Sequence, residues 1–473
     1  MAKRIASLLL VTALAGCSMA PPHTRPPFAA APVYPAEFQP EGGDRKATDI
    51  GWQEFFTDPR LQTLIQMALD NNRDLRISVA RIEEARGQYR IQDAARLPQI
   101  DASSSAVRAR TNTPPIEIPG FGEVGGAATA NRYDLQVGVT SFELDFWGRV
   151  ANLSEAARAS YLSTVAAERA FRLSLIRDVA INYLQAREQA ERIELAERTL
   201  TSRREGLRIA KLRLDAGVTS ALDYRQAETL LTQAETELAS LKLARAQTRN
   251  FSYVLIGRPI PEDLPAALPM ARQGIVRDIG PGLPSELLNN RPDILAAEEQ
   301  LRAARANVGA ARAAFFPTIS LTGSAGFAST DLEGLFNDAG FVWSIGPTIR
   351  LPIFDWGATK GNLTVAEARE NISVATYEKT VQTAFREVAD ALAGRRYLAD
   401  QVAAQERAAA AQRRLAELAR SRYQNGVAQY IEVLDAERNL FSAEQALIQL
   451  RRADLANLVS LYVALGGGLT PHE

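Results

Sequence analysis

Leu144-Asp145-Phe146-Trp147-Gly148-Arg149 stands where an alternating stretch gives way to an uninterrupted helical one, and Asp355-Trp356-Gly357 repeats that junction. Other pairs follow at the same offset. Asp215-Ala216-Gly217-Val218 recurs as Gln424-Asn425-Gly426-Val427, and Ile256-Gly257 recurs as Leu465-Gly466. Upstream, Pro98-Gln99-Ile100 recurs as Pro317-Thr318-Ile319. Each half reads helix, strand, strand, very long helix, tight turn, helix. A repeat that joins barrel-type strands to helices far longer than a globular domain needs argues for a conduit rather than a catalyst.

The long helices are read from what they lack. Residues 151–214 hold no proline and one glycine, Gly206; residues 362–424 hold no proline and one internal glycine, Gly394. At about 1.5 Å per residue each spans roughly 90–100 Å. Gly217 and Gly426 close them where a left-handed residue is wanted. Thr219 or Ser220 then caps a returning helix.

Around each junction the strands follow a period of two. Tyr133, Leu135, Val137 and Val139 alternate with polar or small residues, and the phase changes near Phe142, as a bulge would cause. In the second half Ile319, Leu321, Ala325 and Phe327 alternate likewise, as do Phe341, Trp343, Ile345, Ile349, Leu351 and Ile353. Strands of about ten residues with one apolar face suit a bilayer-crossing barrel. A soluble sandwich alternates in the same way, and the lipid signal described next favours the membrane. Residues 111–126, with Pro114, Pro115 and Pro119, read as loop. Four strands cannot close a barrel, and open edges are not tolerated in lipid, so several chains must contribute.

Lys3 and Arg4 precede the apolar run Ile5–Leu14, and Leu14-Ala15-Gly16-Cys17 follows, a secretory signal too short to span a bilayer. An ordinary signal peptide with an incidental cysteine is the alternative. Cys17 is, however, the only cysteine in 473 residues and stands where a lipidation motif requires it. Residues 21–40, rich in Pro and Ala, read as an extended tether. The division of the chain is then signal peptide 1–16, anchor and tether 17–48, first repeat 49–272, second repeat 273–468 and tail 469–473. The first repeat carries strands near 100–112 and 131–145, a long helix near 151–215 and a return helix near 219–256. The second carries strands near 317–330 and 341–354, with helices near 362–424 and 428–465.

Basic residues number 54 and acidic ones 55, for a net charge of −1, so nothing points to nucleic acid. The two histidines, His23 and His472, lie in the tether and at the C-terminus. With no cysteine in the body, no nucleophile motif and no phosphate-binding loop, an enzyme is not expected. Only four methionines occur, which disfavours a Cu(I) path. No cofactor is expected beyond lipid on Cys17. A periplasmic coiled-coil lipoprotein would explain anchor and helices, but not the duplicated strand pairs.

These features resemble the outer membrane factor (TolC-like) family of tripartite efflux and type I secretion systems, and within it the lipoproteins of drug-efflux pumps. The resemblance runs from about Asp49 to Gly468. It is carried by Leu75-Arg76-Ile77-Ser78-Val79-Ala80, by Phe142 to Arg149, by Asn289-Asn290-Arg291-Pro292-Asp293-Ile294, by Val433-Leu434-Asp435-Ala436-Glu437-Arg438 and by Ala464-Leu465-Gly466-Gly467-Gly468. It implies an α+β fold in a homotrimer: a twelve-stranded outer membrane barrel continued by a periplasmic helical barrel. It implies a passive gated duct for small molecules such as drugs, with an adaptor protein and an inner-membrane transporter, expected to be of the RND type. A type I protein-secretion duct is the alternative within the family.

The resemblance also implies site residues. Cleavage before Cys17 would leave diacylglycerol on its sulfur and an acyl chain on its amine, and Ser18 points to the outer membrane. Gly217, Val218, Gly426 and Val427 would form the tips that meet the adaptor. Asp223, Glu432 and Asp435 would supply acidic rings at the narrowest point, with raised pKa values. Tyr423 would help hold the closed tip. A basic residue present beside that turn in some members is absent, since Ala428 and Gln429 stand there. Trp147 and Trp356 would be interfacial anchors or packing residues.

Overall fold

The protein is described from a computed structural model covering residues 18–27, 45–118, 122–280 and 284–468. The expected signal peptide, Cys17, most of the tether and the tail 469–473 lie outside the described residues. The main elements are α1 (Pro59–Asn71), α2 (Arg73–Ala94), β1 (Ile100–Ile118), β2 (Gly122–Glu143), α3 (Arg149–Asp215) and α4 (Ala221–Ile256). They continue with α5 (Pro292–Ala313), β3 (Thr318–Ser329), β4 (Phe341–Arg350), α6 (Ala358–Gln424) and α7 (Tyr430–Ala464). The helices α3 and α6 are 67 residues each.

The chain forms two compact units, and each draws on both sequence repeats. One comprises residues 1–26, 83–163 and 298–376; the other comprises 27–82, 164–297 and 377–473.

The first unit holds an antiparallel sheet in the order β1-β2-β3-β4. Register places Leu135 opposite Phe327 and Phe327 opposite Phe341, while Val137, Ala325 and Trp343 form the next row on that face. Asp134, Gln136, Ser324 and Ser344 fall on the other face, since side chains alternate along each strand. The register shifts between Val139 and Phe142, where the sequence changes phase.

The expected loop 111–126 is corrected: strand continues to Ile118 and resumes at Gly122. The two prolines fall at a register irregularity between Thr113 and Ile116, on a strand that is an edge of this chain's sheet. There a missing N–H removes no interior ladder bond, so proline is tolerated.

The two tryptophans at the junctions divide the expected roles. Trp147 donates its indole N–H to the Pro317 carbonyl at 2.9 Å and stacks on Phe316, as a packing residue does. Trp356 is 90% exposed, has φ +55° and packs edge-on against Phe354, itself exposed.

The start of the tether is held rather than free. Ser18 Oγ donates to Asn152 of α3 at 2.8 Å, and Arg25 Nε donates to Glu298 of α5 at 2.9 Å. Arg305 of α5 donates to the Thr24 carbonyl at 2.6 Å. A side chain at Gly309 would collide with the Ala20 backbone, so α5 is notched where this segment crosses.

The second unit has the larger apolar core, in which Phe55, Phe56, Ile65, Ile176, Leu184 and Tyr462 are fully buried. Phe55 stacks on Tyr462 at 3.8 Å, and the Tyr462 hydroxyl donates to the Ile50 carbonyl at 2.5 Å. Asp58 caps α1 by accepting from Arg60 N at 2.9 Å, and Pro59 occupies the first helical position. The same carboxylate accepts from the Tyr183 hydroxyl of α3 at 2.6 Å.

Candidate functional site: the paired helical tips

Both long helices end in the same backbone device. Gly217 N–H donates to Leu214 O and Val218 N–H to Arg213 O, each at 2.9 Å; Gly426 and Val427 repeat this with Tyr423 and Arg422 at 3.0 Å. These are Schellman closures, in which a left-handed residue satisfies carbonyls the helix leaves unpaired. Gly217 has φ +70° and Gly426 φ +75°, which is why glycine stands at both. Nothing lies within 4 Å of where a side chain would sit on either. The apex residues Val218 and Val427 are 63% and 67% exposed. An apolar side chain presented to solvent at each tip is available for a partner.

The return helices start differently. Ser220 Oγ caps α4 by accepting from Asp223 N, whereas α7 begins after Gln429 with no side-chain cap. Thr219 Oγ1 donates to Asp223 Oδ2 at 2.6 Å, and this bond holds the Asp223 carboxyl below the usual carboxylate range. Clustering would have raised it; within one chain the hydroxyl decides. Glu432 and Asp435 are not bare either. Glu432 lies 3.6 Å from Arg422, and Asp435 lies 3.0 Å from Arg438. Glu432 and Asp435 therefore carry their own cations, whereas Asp223 is held by a hydroxyl.

Tyr423 is the centre of a cluster that sequence reasoning largely missed. Arg213 of α3 donates to its hydroxyl and lies over its ring, 5.2 Å from the centroid. The basic partner is thus supplied by the other tip rather than by the turn beside Tyr423. Tyr430, first residue of α7, packs on Tyr423 with centroids 5.0 Å apart. The hydroxyl of Tyr430 occupies the space over Gly206 of α3, where any Cβ would collide with it. Gly206 and Arg213 are a heptad apart on one face of α3, so the second tip is gripped at two points. Burial pushes the Tyr430 phenol up to about 12.

Further along, Glu437 of α7 takes Arg420 of α6 at 2.7 Å and Ser202 of α3 at 3.5 Å. Arg203, 5% exposed, stands 4.0 Å from the same carboxylate, and burial pushes its pKa down. Gly394 of α6 plays the part of Gly206 elsewhere: Asn457 of α7 fills its notch and donates to the Ala391 carbonyl at 2.8 Å. The single interior glycine noted in each long helix is therefore a seat for a side chain of α7. One sequence signal pointed to Arg213, because both tips end Arg-x-x-x-Gly, at Arg213 to Gly217 and Arg422 to Gly426.

Among the described residues no helix is long and apolar enough to cross a membrane, and no group of His, Cys, Asp and Glu could hold a metal ion.

Comparison with known proteins gives a consistent answer. The profile described as outer membrane efflux protein matches residues 64–258 and 283–467. The solvent efflux pump outer membrane protein SrpC of Pseudomonas putida is 44% identical over 460 residues, covering 96% of this chain and 96% of that protein. The outer membrane protein OprJ of Pseudomonas aeruginosa is 41% identical over 471 residues, covering 98% and 95%. Among solved structures, the open state of the MtrE outer membrane channel of Neisseria gonorrhoeae superposes with a TM-score of 0.86 at 40% identity, covering 96% of this chain and 99% of that one. The chain is therefore no enzyme: it belongs to the outer membrane efflux protein family, as an outer membrane channel working with an adaptor and an inner-membrane pump.

Proposed function

We propose that three copies of this chain assemble into a passive, gated exit duct, with a twelve-stranded barrel in the outer membrane and a helical barrel in the periplasm. The single observation carrying this reading is the sheet. It has four strands, an apolar face and two edges, β1 and β4, with no further strand partner among the described residues. Edge N–H and C=O groups in hydrocarbon must be paired, and β1 of one copy beside β4 of the next pairs them over the ten-residue length of β4. Three copies of four strands give twelve, within the range of known membrane barrels.

In this reading Cys17 carries diacylglycerol and an N-acyl chain, which anchor the chain to the outer membrane. The tips at Gly217-Val218 and Gly426-Val427 meet the adaptor, and the Arg213–Tyr423–Tyr430 cluster holds the gate shut. Asp223, Glu432 and Asp435 line the narrow level, the last two compensated by arginine and Asp223 by the Thr219 hydroxyl. The exported molecules are small and largely apolar, as the names of relatives for solvent, toluene and antibiotic efflux suggest. An RND-type pump supplies the energy.

With Cys17 acylated, a cysteine at Val218 or Val427 is the only free thiol. Cross-linking it in cells should capture an adaptor that partners a proton-driven drug pump. Capture of an adaptor serving an ABC transporter would turn the reading to protein secretion. No adaptor at either site in an assembled channel would overturn the tip assignment.

A further inference from the structure

A groove of about 470 Å³ opens among α1, α3, α4 and the segment after α4, and among the described residues Arg187 is the one of its four arginines in an ion pair, a long one. Arg60, Arg187, Arg245 and Arg249 line it, and Glu262 is its single carboxylate. Arg60 donates to the Pro265 carbonyl at 2.9 Å, Arg187 to the Leu268 carbonyl at 3.0 Å and Arg249 to the Tyr253 hydroxyl at 3.1 Å. Each bond is to a neutral acceptor and engages one N–H of a five-donor fork. The nearest ion pair is Arg187 with Glu191 at 4.0 Å, and Glu191 is already engaged by the Met270 N–H at 2.6 Å. Elsewhere on α3 and α4 the pattern is the reverse: Arg192 meets Glu188 and Glu237, Arg208 meets Glu205, and Arg225 meets Glu228.

Arg245 and Arg249 are one helical turn apart on α4, a spacing at which like charges repel. The walls between the cations are apolar, with Leu64, Val179, Ile260 and Leu264. Cations that spread across three helices around an apolar floor need several negative charges flanking an apolar group. A single small anion does not satisfy them. Arginine forks favour carboxylates, which they take in bidentate fashion.

We infer that this groove docks an acidic peptide segment of a partner protein, its carboxylates on Arg60, Arg187, Arg245 and Arg249 and one apolar side chain on the floor between them. The surface is separate from the tips, so its failure would leave the duct reading intact.

The test uses the full-length assembled protein in detergent and a fluorescein-labelled peptide, Glu-Glu-Leu-Glu-Glu, followed by anisotropy. Saturable binding is expected. The double variant Arg245→Ser/Arg249→Ser should weaken it about tenfold, with Arg60→Gln as a milder second variant. Replacing the leucine of the probe by serine should weaken it about threefold or more. The surface variant Arg198→Ser should leave it unchanged. Absence of saturable binding, indifference to the leucine, or an equal loss in Arg198→Ser would overturn the assignment. Displacement of the probe by equimolar laurate would give the groove to small amphiphiles instead. Loss of assembly in both groove variants, with no binding to the native protein, would make it a contact between copies.

Discussion

Tyr430 of α7 is seated on α3 at Gly206, a position that has no side chain to exclude it. A methyl group there would meet the phenol oxygen, and the ring is held behind by Tyr423. Gly206→Ala should therefore push the second tip off α3. Overpacking of this kind costs about 1–2 kcal/mol, so local opening of the tip should rise roughly five- to thirty-fold. Limited trypsin cleavage after Arg213 and Arg422 should accelerate in the variant. Unchanged cleavage would mean that Tyr430 rotates away at no cost.

Tyr430 also gives a pH prediction. Burial first, then the nearby Glu437 and Tyr423, raises its phenol to about 12. The folded value exceeds the unfolded one, about 10. The contribution of the neutral phenol is thus fully present below about pH 10 and is lost as pH rises through the folded value. A tyrosinate difference spectrum between the native protein and Tyr430→Phe should show a midpoint near 12. A midpoint near 10 would place the ring in solvent.

The fold was largely legible because its signals are local. The junction tryptophans, the glycines ending both long helices and the period-two strands each depend on neighbours in sequence. The β1–β2 hairpin was missed between 111 and 126 because Pro114 and Pro115 signal loop, and only pairing with β2 shows that they fall at an edge irregularity. The tip turns were readable for the same local reason. The cluster around Tyr423 was not. Its members Gly206, Arg213, Tyr423 and Tyr430 come from three helices, and no periodicity within one helix registers a contact between them.

Asp58 joins two jobs in the helical unit. It caps α1 and accepts from the buried Tyr183 hydroxyl, whose pKa is raised by burial and by this carboxylate. Asp58→Ala should lose a cap worth about 1 kcal/mol and strand a buried hydroxyl at about 1–3 kcal/mol. A denaturation midpoint within error of the native protein would refute both roles, while Asp58→Asn should retain most of the cap.

The two junction tryptophans should behave differently. Trp147→Phe removes a hydrogen bond to the Pro317 carbonyl and should cost about 1 kcal/mol. Trp356, exposed beside Phe354, should tolerate phenylalanine. If it lies at the membrane interface, brominated lipid should quench a variant retaining Trp356 alone more strongly than one retaining Trp147 alone. Equal quenching would remove the interfacial role.

Single-channel conductance of the full-length protein in a planar bilayer tests the duct and its latch together. The native protein should insert as a channel of low conductance. Tyr423→Ala combined with Gly206→Val should raise that conductance about tenfold, because both grips of α3 on the second tip are lost. No channel activity from correctly assembled protein would contradict the duct. A native conductance already as large as that of the double variant would contradict a gate held by Arg213, Tyr423, Tyr430 and Gly206.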